Sequence, residues 1–299
     1  KRLFVGTVYR TWCGLHHQVG VIAVDFMMVL IRFLPMEHEA IIRLSIFLGI
    51  FGALSLVEVL NPRRARVVSR KKRWFTNWGI ILVDTLALRL LALILPLLAV
   101  GASVDAHALG LGLFNILDLP VAVEFILAIL VLDFAIWLQH LLTHKIPFLW
   151  RLHRVHHADR DMDVTTAIRF HPIEILLSML LKIGLVYLLG PSALAVIVFE
   201  IMLNGLAMFN HANIHLPRRI DRIVRKLIVT PDMHRVHHSV ERSEHDANYG
   251  FALSIWDQIF GTYIAQPNKG HDKMTVGLQW QDTRPDQLWW SLWLPFRRK

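Results

Sequence analysis

The pentapeptide His153-Arg154-Val155-His156-His157 returns almost unchanged as His234-Arg235-Val236-His237-His238. On a helix, positions i, i+3 and i+4 share a face, so each copy sets three imidazoles side by side. Three such rings repel one another if protonated and lose solvation if buried without partners. A metal ion removes both difficulties, because it binds the neutral ring nitrogen. His140 and His144 add a further i, i+4 pair, and His211 lies between the two pentapeptides, with His171 and His215 as possible additions. In all, 11 of the chain's 17 histidines fall between His140 and His238. One tetrahedral zinc uses about four donors. Two ions that take about six donors each, with positions kept open, use the number present. The expectation is a dinuclear site.

Two acids share stripes with these rings. Asp133 lines up with Trp137, His140 and His144, and Glu200 lines up with Asn204 and His211. A carboxylate in an apolar span is costly and faces the protein interior. Either acid can accept a hydrogen bond from a ligand ring, or simply pair with another polar group in the bundle.

The elements that must position these residues are membrane helices. The chain is 55% hydrophobic and 18% charged, and six apolar stretches stand out, at 20–35, 41–60, 78–100, 120–139, 174–190 and 191–209. Each approaches the ~20 residues needed to span the hydrocarbon core. Asp25, Arg32, Arg43 and Arg89 in or beside the first three allow tilted or re-entrant segments. Gly190-Pro191-Ser192 reads as the turn of a hairpin. Six crossings bring the Arg-rich 61–77 loop, the 140–173 stretch and the region after 215 to one side, which the positive-inside rule makes the cytoplasm. The net charge of +9 therefore flanks apolar runs and gives no reason to expect nucleic acid. Cys13 is the only cysteine, so disulfides and thiolate metal sites are excluded, and residues 1–14 carry no clear signal-peptide cleavage pattern. The Trp- and Arg-rich tail from Gln287 reads either as an interfacial anchor or as a packed final helix. Arg151, Arg154, Arg160 and Arg235 are candidates to meet an anionic headgroup, or are ordinary positive-inside cations. The fold expected is all-α: a multi-span transmembrane bundle with a cytoplasmic-side helical cap carrying the metal site.

The three histidine boxes resemble those of the fatty acid hydroxylase superfamily, which includes sterol desaturases. The text around them agrees: residues 163–174, Pro231-Asp232-Met233-His234, Tyr249-Gly250-Phe251, and Trp256-Asp257-Gln258-Ile259-Phe260-Gly261-Thr262. The similarity covers about 120–265 and is greatest to the bacterial sterol-desaturase-like branch. It implies a non-haem di-iron centre, O2 as co-substrate, and electrons from a separate cytochrome b5-, ferredoxin- or rubredoxin-like donor. It also implies hydroxylation or desaturation of an unactivated C–H bond in a lipid. The ligand set it implies is His140, His144, His153, His156, His157, His234, His237 and His238, with His211 at a recurrent family position. His171 and His215 are further ligands or outer partners. The expected organisation is an N-terminal membrane region at 1–77, a catalytic domain at 78–265 and a polar segment with interfacial tail at 266–299. The expected location is a bacterial inner membrane. The rival readings are a zinc-dependent membrane hydrolase, for which the HExxH pattern is lacking, and a metal transporter, which would place its ligands nearer the bilayer midplane.

Overall fold

The computed structural model describes residues 38–94, 98–117 and 119–297. The apolar stretch at 20–35 lies outside them. Every residue of the candidate site belongs to one compact unit, 47–299.

Among the described residues, five unbroken helices are long and apolar enough to cross a membrane: α1 (Glu39–Leu60), α2 (Arg70–Ile94), α5 (Val121–Lys145), α7 (Pro172–Leu189) and α8 (Ala193–His211). A sixth segment of suitable length and composition, Ala99–Ile116, is two pieces, α3 (Ala99–Ala108) and α4 (Leu113–Ile116). At 1.5 Å per residue, α3 reaches about 15 Å, half the hydrocarbon thickness. It packs instead on the α7–α8 hairpin. Ser103 donates to the carbonyl of Pro191 at 2.6 Å and Tyr187 donates to Asp105 at 2.7 Å. Gly112 and Gly190 both have positive φ and touch so closely that a Cβ on Gly112 would lie 2.3 Å from Gly190 N. Only glycine tolerates that conformation and that approach together. The stretch expected at 78–100 is thus one span that begins earlier, at Arg70, followed by a cap on the end remote from the histidines. The protein is a multi-pass integral membrane protein.

The start of α2, the end of α5, the start of α7 and the end of α8 meet at the opposite end. There the chain forms short helices: α6 (Pro147–His157), α9 (Arg218–Val224), α10 (Pro231–His237), α11 (Arg242–His245), α12 (Ile255–Ile259), α13 (Gly270–Lys273) and α14 (Leu288–Trp293). Among the described residues there is no strand, only isolated bridges. The basic loop after α1 belongs to this end as well: Arg63 N donates to Asn213 O at 3.0 Å, and Val67 and Val68 N both donate to Asp161. Arg73, fully buried, clamps the cap to α2 by gripping Asp159 through Nε and Nη2 at 2.6 and 2.7 Å and Asp163 through Nη1 at 2.8 Å. The tail is a packed element and an exposed one at once. Trp290 and Leu294 are buried with Ile80 and Val155, while Trp289 and Trp293 stay exposed.

A candidate dinuclear metal centre

Three prolines set the site. Pro147, Pro172 and Pro231 occupy the first turns of α6, α7 and α10, where the missing N–H is harmless and φ is already helical. Pro147 also disfavours helical geometry at Ile146, which is extended. Hence α5 stops at Lys145 and the chain turns sharply into α6. That corner aims His140 and His144 at His153 and His157.

Nine histidines, all buried, converge in two groups. The first is His140, His144, His153, His157 and His237. The second is His156, His211, His234 and His238. Each pentapeptide sends its first and fifth residues to one group and its fourth across to the other. The arrangement is nearly two-fold, but the second group has one ring fewer. The reason lies at His211. Its i+4 neighbour, His215, would complete an HxxxH pair like that of α5. Helix α8 ends at His211, however, with Ala212 extended, and Asn213 is held by Glu58 and Arg64. His215 is exposed and bonded through its backbone to Asn61.

Hydrogen bonds at Nδ1 orient five of the nine rings. Nδ1 of His140 donates to Tyr249 O at 2.6 Å, of His156 to Arg169 O at 3.2 Å, of His211 to Ala207 O at 2.7 Å and of His237 to Ala247 O at 2.7 Å. Nδ1 of His153 donates to Glu174 Oε1 at 2.6 Å. A carbonyl can only accept, so in each neutral ring the lone pair is on Nε2. Those lone pairs face one another: His140 and His153 Nε2 are 3.1 Å apart, as are His156 and His211 Nε2. His234 and His238 Nε2 lie 3.0 and 3.2 Å from His211 Nε2. Nε2 of His144, His157 and His237 is buried without a partner. Burial, and then the neighbouring rings, hold His156, His157, His234, His237 and His238 well below the ordinary imidazole pKa, so protons are not what reconciles these lone pairs. A metal ion is. With metal–nitrogen bonds of roughly 2.0–2.1 Å, donors at right angles stand about 3 Å apart and donors at tetrahedral angles about 3.4 Å. The closest spacings found, 3.0–3.2 Å, lie between these values, as donors to a common ion do.

The other expected site residues are elsewhere. His171 caps α7, its Nδ1 accepting from Ile173 N and its Nε2 donating to Leu292 O. Asp133 accepts from Trp256 Nε1 at 2.8 Å, and Glu200 pairs with Lys182 at 2.6 Å. Neither meets one of the nine rings in a hydrogen bond or ion pair. Two other carboxylates do: Glu174, which the sequence marks only as an acid in the first turn after Pro172, and Asp246, whose Oδ1 lies 3.5 Å from His144 Nδ1. Asp257 acts one step further out. It accepts from Tyr249 N, Gly250 N and Trp137 Nε1, fixing the carbonyl that holds His140. His245, unnoticed in the sequence, stacks on Trp150 with ring centroids 5.4 Å apart, outside the first group. On the bundle side, Phe170 lies flat on His156 at 4.3 Å and Phe251 stands 5.0 Å from His140.

Residues 125–262, which include all nine rings and Glu174, match the family model described as Fatty acid hydroxylase. This segment is a fatty acid hydroxylase domain. The hydroxylase domain is similar to ornithine lipid hydroxylase OlsE of Rhizobium tropici, 32% identical over 50% of this chain and 44% of that protein. It is 30% identical to human alkylglycerol monooxygenase over 50% of this chain and 32% of that one. Human cholesterol 25-hydroxylase is 29% identical over 46% and 49%. The chain thus spans about a third to a half of the length of these relatives. No solved structure matches it at a significant level. Arg73, Glu58 and the tail, which brace the hydroxylase domain from outside, lie beyond the matched residues.

Proposed function

We propose that the protein is an O2-dependent di-iron membrane oxidase that hydroxylates an unactivated C–H bond of a lipid. The observation that carries this reading is the meeting of nine buried imidazoles in two groups, five of them turned by hydrogen bonds at Nδ1 so that Nε2 faces inward. An all-nitrogen donor set suits iron, and zinc would fit the same rings as a substitute in purified protein. An ion taking about six donors keeps one position free in the first group and two in the second. When bound, two iron ions supply activation of O2 and removal of hydrogen from carbon. The chain's own residues do the rest. Five acceptors orient the rings, Glu174 makes His153 a stronger donor, and Phe170 and Phe251 present an apolar wall on the bundle side, where a lipid carbon would lie and water would be excluded. The relatives' names, two hydroxylases and a monooxygenase acting on lipids, favour oxygen insertion over desaturation. Positive-inside charge supports a cytoplasmic metal centre, within reach of a soluble electron donor.

The test is O2 consumption by iron-loaded, reconstituted protein with a chemical reductant and extracted membrane lipids, followed by lipid mass spectrometry under 18O2. The expected result is lipid-dependent uptake and a product heavier by one labelled oxygen. Absence of iron-dependent O2 uptake with every lipid fraction would refute the oxidase reading. A product lacking two hydrogens and no oxygen would refute hydroxylation alone.

A further inference from the structure

We propose that α9 and the end of α12 form a docking surface for anionic phospholipid headgroups beside the metal cap. Helix α9 is anchored by its inner face. Arg225 pairs with Asp221 at 2.5 Å and donates to Ala265 O at 2.9 Å, while Asp221 also accepts from Thr230, the residue that caps α10. Its outer face and the turn that follows it carry Arg218, Arg219, Arg222 and Lys226, all exposed, and no exposed acid. Interleaved with these cations are Ile220, Ile223 and Leu227, which are 50–69% exposed. An apolar stripe flanked by cations is the pattern of an element lying in a membrane interface.

The position of this surface argues for lipid against a protein partner. Ser254 joins α12 to the end of α9, its N donating to Leu227 O and its Oγ to Arg225 O. At the far end of α12, Ile259 and Phe260 are 66% and 52% exposed. The inner side of Phe260 stacks on Trp137 at 4.7 Å and Phe134 at 5.7 Å. Those two residues precede His140 on the spanning helix α5 by three and six positions, or about 5 and 9 Å of helix. Phe260 and its neighbour Ile259 therefore stand beside α5 within two turns of His140, a span comparable to the roughly 5–10 Å to which interfacial elements sink. They continue the lipid-facing side of α5, where Leu138 is also exposed, with the cations nearest the headgroups. The four arginines expected for such contacts are occupied or placed elsewhere. Arg154 and Arg235 are buried, Arg160 pairs with Asp286, and Arg151 donates to Pro295 O.

This inference holds whatever metal or substrate the protein takes. Spin labels at Ile223→Cys, Ile259→Cys and, as a control, the exposed Lys269→Cys, each with Cys13→Ala, are read in nanodiscs of phosphatidylcholine with and without phosphatidylglycerol. At 223 and 259 the label should be open to O2 and shielded from a nickel chelate, and at 269 open to both. Equal chelate access at 223 and 269 would overturn the proposal, and exclusion of both probes at 223 would replace it with a protein contact. In native mass spectrometry, the Arg218→Gln, Arg219→Gln, Arg222→Gln, Lys226→Gln variant should lose its enrichment of phosphatidylglycerol over phosphatidylcholine several-fold, with metal content unchanged. Enrichment equal to the parent's would refute the headgroup assignment.

Discussion

Glu174 offers a graded perturbation of the site. Its Oε1 accepts the Nδ1 proton of His153 at 2.6 Å, and both groups are buried. Removing a hydrogen-bond partner from behind a metal-binding histidine costs about 10–100-fold in metal affinity, or roughly 1.4–2.7 kcal/mol. Glu174→Gln keeps an oxygen where the carboxylate stood but withdraws the charge, so it belongs at the lower end, near tenfold. Glu174→Ala withdraws both and leaves the buried Nδ1–H unpaired, so it belongs near 100-fold. Glu174 also sits in the first turn of α7, where an acid contributes about 0.3–1 kcal/mol to the helix. Both variants share that loss, so the difference between them isolates the ring. Competitive titration of Fe(II) or Zn(II) against a chelator, beside circular dichroism in detergent, measures it. Affinities within twofold of the parent for Glu174→Ala, with the helices intact, would refute the orienting role.

Other consequences follow from the same contacts. Arg73→Met leaves Asp159 and Asp163 buried and unpaired, and should lower stability by about 3–5 kcal/mol; a melting temperature unchanged in detergent would contradict the clamp. Gly250→Ala would set a Cβ 2.8 Å from Leu253 O and 2.9 Å from Asp257 Oδ2, and should reduce metal loading by moving the Tyr249 carbonyl; full loading would show that the carbonyl is not held this way. His171→Ala and His215→Ala should retain two metals per chain, whereas His156→Ala and His237→Ala should each lose metal; a loss with His215→Ala would place it in the site. Metal-free protein should weaken below about pH 6.5, the unfolded imidazole value. The five depressed rings outside the spans stay neutral in the folded chain while the unfolded chain takes up protons. Stability is therefore complete above that pH and falls by about 1.4 kcal/mol per ring for each pH unit below it; a flat acid profile between pH 7 and 5 would contradict burial of neutral rings.

Much of the site was legible because helical periodicity is local. Spacings of three and four fix which rings share a face, and nine rings named from sequence are the nine that converge. Their division between two groups was not legible, since it depends on how α6 crosses α10. Nor was the fate of His215, because α8 is stopped by Glu58 and Arg64, residues about 150 positions away. Asp133 and Glu200 were reasonable partners by stripe, but a stripe gives direction and not reach. Trp256 and Lys182 come to them from other parts of the chain. Glu174 was visible as a first-turn acid, and nothing local said that α7 would start beside His153. The spans were legible by length and composition, yet α3 and α4 together satisfy both and turn back, because Gly110 and Gly112, both at positive φ, break the helix where the hairpin turn is met.

Nine histidines holding two iron ions is what the proposed chemistry requires. Anomalous diffraction at the iron edge, on protein purified from iron-replete cells, tests it most directly. Two peaks are predicted, one among His140, His144, His153, His157 and His237 and one among His156, His211, His234 and His238. A single peak, or zinc alone at both positions in protein that is catalytically competent, would contradict it.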